Sequence, residues 1–238
     1  MTIRILLVDN NNLFRKGLAA LFASDPAFLV VGDLGGAANA QQAALDFAPD
    51  IVLMDIQLAG VNGLETGLQI KRRMPQVRVV LLTAVKTEEV VRTALRSGVD
   101  GYVLKDATLE ELKVCLLSVA MGKKYLSPDV SAQVVDSFLH PDQLRARGSR
   151  LEVLTSRERS ILQLVAEGRT NRGAASFLNV SPKTIEKHRA SLMHKLGLRN
   201  VTELTLMAMD MGLVERPSVL LRQLSAQTPT SELYSRAS

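Results

Sequence analysis

Residues 49–63, which read PDIVLMDIQLAGVNG, decide the fold. Ile51 to Met54 form an unbroken apolar run, and such a run with β-branched residues is typical of a buried strand in a parallel sheet. The run ends at Asp55, a turn rich in glycine and asparagine follows, and a helical pattern extends from Leu64 to Arg73. Ligands bind outside the carboxyl ends of the strands in open α/β sheets. The sequence therefore places Asp55 at the functional edge of the sheet.

An isolated aspartate after a strand has a simpler interpretation. Asp is a common turn and helix-cap residue, and for Asp55 alone that role is the more frequent one. The rest of the chain shifts the balance toward a functional role.

Strand and helix patterns alternate throughout residues 1–122. The predicted strands cover residues 3–8, 28–31, 51–54, 77–82 and 101–104, and the predicted helices cover residues 12–24, 37–47, 64–73, 87–97 and 108–121. This alternation predicts a doubly wound α/β domain with a five-stranded parallel sheet, as in flavodoxin-like folds.

The carboxyl ends of these strands carry polar side chains that suit phosphoryl transfer. Asp9, Asp55, Thr83 and Lys105 follow four different strands and are expected at one edge of the sheet. Asp55 is a candidate nucleophile that forms an acyl phosphate. Asp9, Asp55 and the Gln57 carbonyl are candidate Mg²⁺ ligands. Lys105 is a candidate for neutralising the negative charge of the phosphoryl group. Thr83 is a candidate hydrogen-bond donor to a phosphoryl oxygen.

Bulk composition bounds the class of protein. A length of 238 residues corresponds to one large domain or two ordinary ones. The apolar content of 47% is enough for a hydrophobic core in each. The single cysteine, Cys115, excludes an internal disulfide framework and favours a reducing compartment. No signal-peptide pattern and no apolar run near the ~20 residues of a membrane helix is present, so we expect a cytoplasmic protein without membrane association.

The net charge of +5 is unevenly distributed. Residues 1–122 hold 12 lysines and arginines against 13 acids, whereas residues 123–238 hold 17 against 11. A basic C-terminal part favours nucleic acid as its partner.

Residues 151–215 contain four helical patterns. Thr155 and Glu158 form a capping box at the first, and Ser181-Pro182 begins the third. A short helix over 170–178, a tight turn and a longer helix over 182–196 have helix-turn-helix spacing. The third helix and its exit carry Lys183, Lys187, Arg189, Lys195 and Arg199. A solvated basic face is the alternative to a DNA-binding one.

The predicted organisation is two domains with a connection and a tail. The α/β domain covers residues 1–122, a polar linker marked by Pro and Gly covers 123–150, the helical domain covers 151–215, and a mobile tail covers 216–238. Within the linker, residues 128–139 form a candidate short helix.

The α/β domain resembles the receiver domain of bacterial response regulators. The resemblance is carried by Leu6-Leu7-Val8-Asp9, Asp50-Ile51-Val52-Leu53-Met54-Asp55, Leu81-Leu82-Thr83-Ala84 and Gly101-Tyr102-Val103-Leu104-Lys105. It implies that Asp55 is the phosphoacceptor, with a sensor histidine kinase as donor. It also implies that Thr83 and Tyr102 are a switch pair acting with Lys105.

The helical domain resembles the LuxR-type DNA-binding domain, and the two together resemble the NarL/FixJ response regulators. The second resemblance is carried by Leu154-Thr155-Ser156-Arg157-Glu158, Ala166-Glu167-Gly168, the run from Val180 to Arg189, and Lys195-Leu196-Gly197-Leu198. It implies a transcription regulator, not an enzyme, that binds double-stranded DNA as a homodimer through the third helix. The candidate DNA-binding residues are Lys183, Thr184, Lys187, His188, Arg189 and Lys195.

Two departures from the receiver pattern concern the metal site. Asn10 stands where the family usually has a second acid, and Ala59 stands where it tends to have proline. A neutral Asn10 still offers an oxygen to Mg²⁺ but removes one negative charge, so we expect weaker Mg²⁺ binding. The first alternative function is therefore an atypical receiver whose DNA binding is independent of phosphorylation.

The second alternative is an enzyme, such as a phosphatase that uses Asp55 on a flavodoxin-like domain. No acid-base residue stands beside Asp55 in the sequence, and the attached domain is typical of a DNA-binding protein.

Overall fold

A computed structural model describes residues 2–139 and 154–214 of the chain. The strands are β1 (Ile3–Val8), β2 (Phe28–Leu34), β3 (Ile51–Met54), β4 (Gln57–Leu58), β5 (Val61–Asn62), β6 (Arg78–Thr83), β7 (Gly101–Leu104) and β8 (Tyr125–Leu126). The helices are α1 (Asn12–Ala23), α2 (Ala40–Phe47), α3 (Gly63–Arg73), α4 (Glu88–Arg96), α5 (Leu109–Ala120), α6 (Pro128–Leu139), α7 (Ser156–Ala166), α8 (Asn171–Leu178), α9 (Pro182–Leu196) and α10 (Val201–Asp210). The remainder of the predicted linker and the predicted tail lie outside the described residues.

The N-terminal domain is a parallel sheet with helices between its strands. The strand order is β2-β1-β3-β6-β7-β8, and every neighbouring pair is parallel. The doubly wound α/β prediction is confirmed, and β1, β2, β3, β6 and β7 are its five predicted strands. Since all five run in the same direction, their carboxyl ends meet at one edge of the sheet.

A sixth strand and a further helix extend this domain beyond residue 122. In β8, Tyr125 lies opposite Gly101 and Leu126 lies opposite Tyr102. Val130 of α6 is buried in the same apolar cluster as Val90 of α4. The described part of the predicted linker therefore packs on the α/β domain, because β8 pairs with β7 and Val130 is buried against it.

Ser127, between β8 and α6, ties this extension to α5. Its hydroxyl donates to Glu111 Oε1 at 2.5 Å and accepts from the Leu104 amide at 3.2 Å. Thr108 caps α5 by accepting from the Glu111 amide at 3.1 Å. The Glu111 carboxylate thus binds Ser127.

The segment after Asp55 is a short hairpin, formed by β4 and β5. Gly60, at its tip, has φ of +74°, which favours glycine. Gly63 follows the hairpin, and a Cβ there would overlap the backbone oxygen of Asp55. This close approach holds the hairpin against the end of β3.

The C-terminal domain is a bundle of four helices with the expected caps. The capping box of Thr155 and Glu158 is formed at α7. Ser181 caps α9 by accepting from the Thr184 amide at 3.1 Å, with Pro182 as the first helical residue. Helices α8 and α9 flank a turn that begins at Asn179, so the helix-turn-helix prediction is confirmed.

The apolar core is continuous between the two domains. One buried cluster contains Val85 and Val90 of the α/β domain together with Ile161, Met211 and Leu213 of the helical domain. Among the described residues, no helix is both long and apolar enough to cross a membrane.

Candidate functional site

Three of the predicted site residues meet at the carboxyl edge of the sheet. The Lys105 ammonium lies 2.8 Å from Asp9 Oδ2 and 2.6 Å from Asp55 Oδ2. Asp9 follows β1, Asp55 follows β3 and Lys105 follows β7, so the parallel sheet itself positions these side chains. Asp55 is only 2% exposed.

Lys105 is held in its charged form. Burial alone would lower the pKa of Lys105, but the neighbouring carboxylates of Asp55 and Asp9 raise it above its usual value. The ammonium also lies 5.1 Å from the centre of the Phe14 ring, a cation–π distance. The site therefore provides a fixed positive charge beside Asp55.

Both carboxylate oxygens of Asp55 are already engaged. Oδ2 accepts from Lys105, and Oδ1 accepts from the Gln57 amide at 3.2 Å. An ionised carboxylate has about four acceptor sites on its two oxygens, so these two hydrogen bonds do not use all of them.

Thr83 and Tyr102 both bind the backbone of Val85. The Val85 amide donates to the Thr83 hydroxyl at 3.3 Å, and the Tyr102 hydroxyl donates to the Val85 carbonyl at 2.8 Å. Burial, and to a smaller extent the charge of Asp55, raises the pKa of Tyr102, so its phenol stays neutral. Tyr102 is fully buried in this structure.

The oxygen atoms at this edge suit a hard cation. Mg²⁺ is usually held by one or two carboxylates with several waters, and Asp9 and Asp55 supply two. Asn10 is exposed beside Asp9, and Gln57 is in the loop after Asp55. Among the described residues, no group of three or more carboxylate, imidazole or thiol side chains is placed to hold a metal. The donors fit Mg²⁺, with fewer charges than an acid at position 10 would give.

Helix α9 presents a polar face and a buried face. Ile185 and Leu192 are buried, whereas Lys183 and Lys187 are exposed. Thr184 and His188 are half-buried on the same helix. An exposed helix with this charge suits the major groove and the phosphates of DNA.

Two predicted DNA-binding residues are engaged within the domain. Lys195 pairs with Glu158 at 2.7 Å, and the Arg189 guanidinium donates to Asn171 Oδ1 at 2.7 Å. Burial would raise the pKa of Glu158, but Lys195 and the capping Thr155 lower it overall. Lys195 and Arg189 thus connect α9 to the helices before it.

Sequence reasoning missed three residues of the helical domain that reach the loop after Asp55. Gln163 of α7, Glu167 directly after α7 and Gly212 after α10 hydrogen-bond to residues 57–60. Gln163 is 1% exposed and stands within the apolar run Ile161-Leu162-Gln163-Leu164-Val165. A polar residue within such a run is the signal that could have indicated a partner.

Two family models match the chain. Residues 5–116 match the response regulator receiver domain, and residues 152–208 match the bacterial regulatory proteins of the luxR family. The second family consists of DNA-binding transcription regulators and is not a family of enzymes.

Named relatives agree with this pair of domains. Response regulator protein VraR of Staphylococcus aureus strain Mu3 is 29% identical over 215 residues, which cover 90% of this chain and all of VraR. A crystal structure of a LuxR-family two-component response regulator from Aurantimonas sp. SI85-9A1 is also similar, with 28% sequence identity and a TM-score of 0.56. The match covers 58% of this chain and 99% of that one.

The fold extends to a more distant structure. RcsB from Salmonella enterica serovar Typhimurium, solved bound to promoter rprA, covers 86% of this chain and 97% of its own, with a TM-score of 0.60 and 23% identity. A receiver-domain match and a luxR-family match on one chain, with VraR similar over 90% of it, place this protein among the LuxR-family response regulators of two-component systems.

Proposed function

We propose that this protein regulates transcription and that phosphorylation of Asp55 by a partner histidine kinase switches its binding to double-stranded DNA. The observation that carries the proposal is the buried carboxylate of Asp55 beside the ammonium of Lys105 and the carboxylate of Asp9. Phosphoryl transfer relies mainly on positioning and charge stabilisation, and this arrangement supplies both.

The phosphoryl step forms one bond and breaks one. A carboxylate oxygen of Asp55 attacks the phosphorus of a phosphohistidine, the N–P bond breaks, and the imidazole nitrogen leaves and takes up a proton. Lys105 faces the developing negative charge, and the Thr83 hydroxyl is a donor for a phosphoryl oxygen once it turns toward the edge. Asp9, Asp55, the Gln57 carbonyl and the Asn10 side chain would hold Mg²⁺, which would supply further positive charge when bound.

The phosphoryl group changes the charge balance at the edge of the sheet. It adds roughly −1.5 to −2 charges at Asp55. Thr83 and Tyr102 both hydrogen-bond to the backbone of Val85. A movement of Thr83 toward the phosphate therefore changes the position of Val85, to which Tyr102 is bound. A typical coupling of ~1–3 kcal/mol corresponds to about a 5–150-fold change in DNA affinity.

The DNA-binding part of the proposal rests on α9. Its exposed lysines, Lys183 and Lys187, suit the phosphates and base edges of a major groove, and Thr184, His188 and Arg189 lie on the same helix. Helix α10 exposes Val201 and Leu206, which suit a homodimer contact. RcsB has been solved bound to promoter rprA in the presence of phosphomimetic BeF3−, which supports the same partner here. We place this activity in the cytoplasm.

One observation favours a second candidate function. The exposed, neutral Asn10 leaves only Asp9 and Asp55 as acids of the metal site. With Ala59 in the loop, this supports a receiver that binds DNA without phosphorylation.

A comparison of wild type with Asp55→Asn separates these candidates. Each protein is incubated with Mg²⁺ and acetyl phosphate, and its mass, oligomeric state and DNA affinity are followed. We expect wild type alone to gain one phosphoryl mass, shift toward dimer and bind DNA more tightly. Equal DNA affinity of both proteins, with no gain in mass, would favour phosphorylation-independent binding. Continuous hydrolysis of acetyl phosphate beyond one equivalent would support an enzyme.

A further inference from the structure

Arg15 is a buried arginine beside the candidate Mg²⁺ site. It lies in the first turn of α1, and its side chain is only 9% exposed. Burying a guanidinium costs free energy unless its donors are paired, so its partners indicate what the side chain holds in place. These partners include the backbone of Asp9, one of the two acids of the site.

Each nitrogen of the Arg15 guanidinium donates to a different residue. Nη1 donates to the Asp9 carbonyl at 2.6 Å, Nη2 to Asn12 Oδ1 at 2.8 Å and Nε to Asp33 Oδ1 at 3.2 Å. The side chain thus connects the residue after β1, the start of α1 and the end of β2. The planar guanidinium fixes the directions of these bonds, which a lysine on its flexible stem does not do.

The bond from Arg15 completes the hydrogen bonding of Asp9. The Asp9 amide donates to the Leu34 carbonyl at 3.0 Å, and Asp9 Oδ1 accepts from the Asn11 amide at 2.7 Å. The other carboxylate oxygen faces the Lys105 ammonium at 2.8 Å. The Asp9 carbonyl is the remaining polar group, and Arg15 is its donor. Arg15 therefore fixes the backbone that carries the Asp9 carboxylate.

The charge of Arg15 acts against this contribution. Arg15, Asp9 and Asp55 line one small cavity, so the guanidinium lies close to both carboxylates of the candidate metal site. A fixed positive charge there repels a divalent cation. Asp33 offsets part of that charge, but it also pairs with the Lys16 ammonium at 2.9 Å. The charge of Arg15 alone would weaken Mg²⁺ binding, whereas its hydrogen bonds to the loop would strengthen it.

We propose that Arg15 is a positioning residue for Mg²⁺, because it holds Asp9 in place through the Asp9 carbonyl. This rests on the proposed function of Asp9 and Asp55 as Mg²⁺ ligands. With a neutral Asn10, Asp9 is one of only two carboxylates proposed to bind the cation, so its orientation has a large effect. Loss of a residue that orients a metal ligand typically lowers metal affinity about 10–100-fold. The hydrogen bonds of Arg15 therefore contribute more to Mg²⁺ affinity than its charge removes.

Two neighbouring cations that pair with the same carboxylate provide a matched test in the full chain. Arg15→Met and Lys16→Met each remove one positive charge beside Asp33, but Arg15 also donates to the Asp9 carbonyl. If charge dominates, both variants bind Mg²⁺ more tightly than wild type. If positioning dominates, Arg15→Met binds Mg²⁺ more weakly while Lys16→Met does not. The sign of the change in Arg15→Met therefore decides between the two effects.

Mg²⁺ is titrated into each protein without a phosphodonor, and the amide NMR signals of Asp9 and Asn11 give its dissociation constant. We expect Arg15→Met to bind Mg²⁺ roughly tenfold more weakly, and Lys16→Met to bind it at least as tightly as wild type. Arg15→Lys keeps the charge and one donor group, so its affinity should lie between those of Arg15→Met and wild type. A purely structural role would lower the melting temperature of Arg15→Met without this change in Mg²⁺ affinity.

Other outcomes separate this inference from the proposed function. Unchanged or tighter Mg²⁺ binding in Arg15→Met, or equal weakening in Lys16→Met, would overturn the positioning role. Wild type that shows no shift with Mg²⁺ would overturn the Mg²⁺ site and this inference with it. Weaker Mg²⁺ binding in Arg15→Met, in a protein whose Asp55 takes no label from acetyl phosphate, would support positioning and overturn the proposed phosphorylation.

A second variant decides the question should Arg15→Met not fold. Asn12→Ala removes one acceptor of the guanidinium at an exposed position and leaves every charge in place. We expect weaker Mg²⁺ binding in Asn12→Ala by the same NMR titration, because Arg15 is then held less firmly toward the Asp9 carbonyl. Mg²⁺ affinity equal to that of wild type in both Asn12→Ala and Arg15→Lys would overturn the positioning role.

Discussion

Asn10 determines how much negative charge the metal site holds. Asp9 and Asp55 contribute two negative charges and Lys105 returns one positive charge to the same pair. With a neutral residue at position 10, the attraction for a divalent cation comes from a net charge of −1. We therefore expect the number of charges at this edge to set its affinity for Mg²⁺.

Asn10→Asp should strengthen Mg²⁺ binding. An added carboxylate beside the cation is worth a free energy of order 1 kcal/mol after desolvation, which is roughly a fivefold gain in affinity. Titration calorimetry with Mg²⁺, and the Mg²⁺ dependence of labelling by acetyl phosphate, measure this gain. Asn11→Asp is the control, because Asp caps a helix as well as Asn does and position 11 already caps α1. Equal Mg²⁺ affinity of wild type and Asn10→Asp would contradict the charge argument.

Within helix α9, the structure separates two kinds of basic residue. Lys187 is exposed, whereas Lys195 pairs with Glu158 at 2.7 Å. Both were predicted from the sequence as DNA-binding residues, and their charges are the same. Only the packing of α9 against α7 distinguishes them.

Lys187→Ala should weaken DNA binding without destabilising the domain. A lysine that contacts a phosphate contributes about one unit to the slope of log affinity against log salt, and one that contacts a base edge adds about 1–3 kcal/mol of discrimination. Lys195→Ala is the comparison variant. It should lower the melting temperature, because the buried carboxylate of Glu158 loses its ion pair with Lys195. Salt-dependent titration with DNA and thermal melting separate the two effects. A larger loss of DNA affinity in Lys195→Ala than in Lys187→Ala would contradict this assignment.

The elements that the sequence predicted well are those with a local cause. The strand at 51–54 follows from an unbroken apolar run, and the start of α9 follows from Ser181 and Pro182. The meeting of Asp9, Asp55 and Lys105 follows from parallel topology alone.

The elements that were missed depend on distant partners. Strand β8 is two residues long and exists because β7 offers an edge. The hydrogen bond of Gln163 depends on a loop 105 residues away, and the position of Tyr102 depends on Val85. A local pattern, such as a polar Gln163 within an apolar run, can indicate that a partner exists but not which one, because these contacts arise only when segments distant in the chain pack together.

At the scale of the whole molecule, the two domains share one apolar cluster. Leu64 and Val90 of the receiver domain pack in the same buried cluster as Leu154 and Met211 of the helical domain. The Arg159 guanidinium adds an ion pair with Glu65 at 3.2 Å across the interface. The side chains of Arg159 and Glu65 are only 23% and 17% exposed, so salt screens this ion pair less than it screens a pair on the surface.

A charge swap across this interface tests whether the domains stay docked in solution. Arg159→Glu and Glu65→Arg each place like charges in contact, and each should weaken docking by about 1 kcal/mol, or about fivefold in the docking equilibrium constant. The double variant restores opposite charges and should recover docking. Small-angle scattering of the full chain follows this as a larger radius of gyration in each single variant and a return toward the wild-type value in the double variant.

Ionic strength provides the internal control for this swap. The differences among the four proteins should shrink at high salt, because screening weakens the pair and the repulsion alike, while the apolar contact at Val90 and Met211 persists. A double variant as expanded as either single variant would mean that Glu65 and Arg159 act through their separate domains. Recovery in the double variant at low salt would instead identify this ion pair as part of the contact between the two domains.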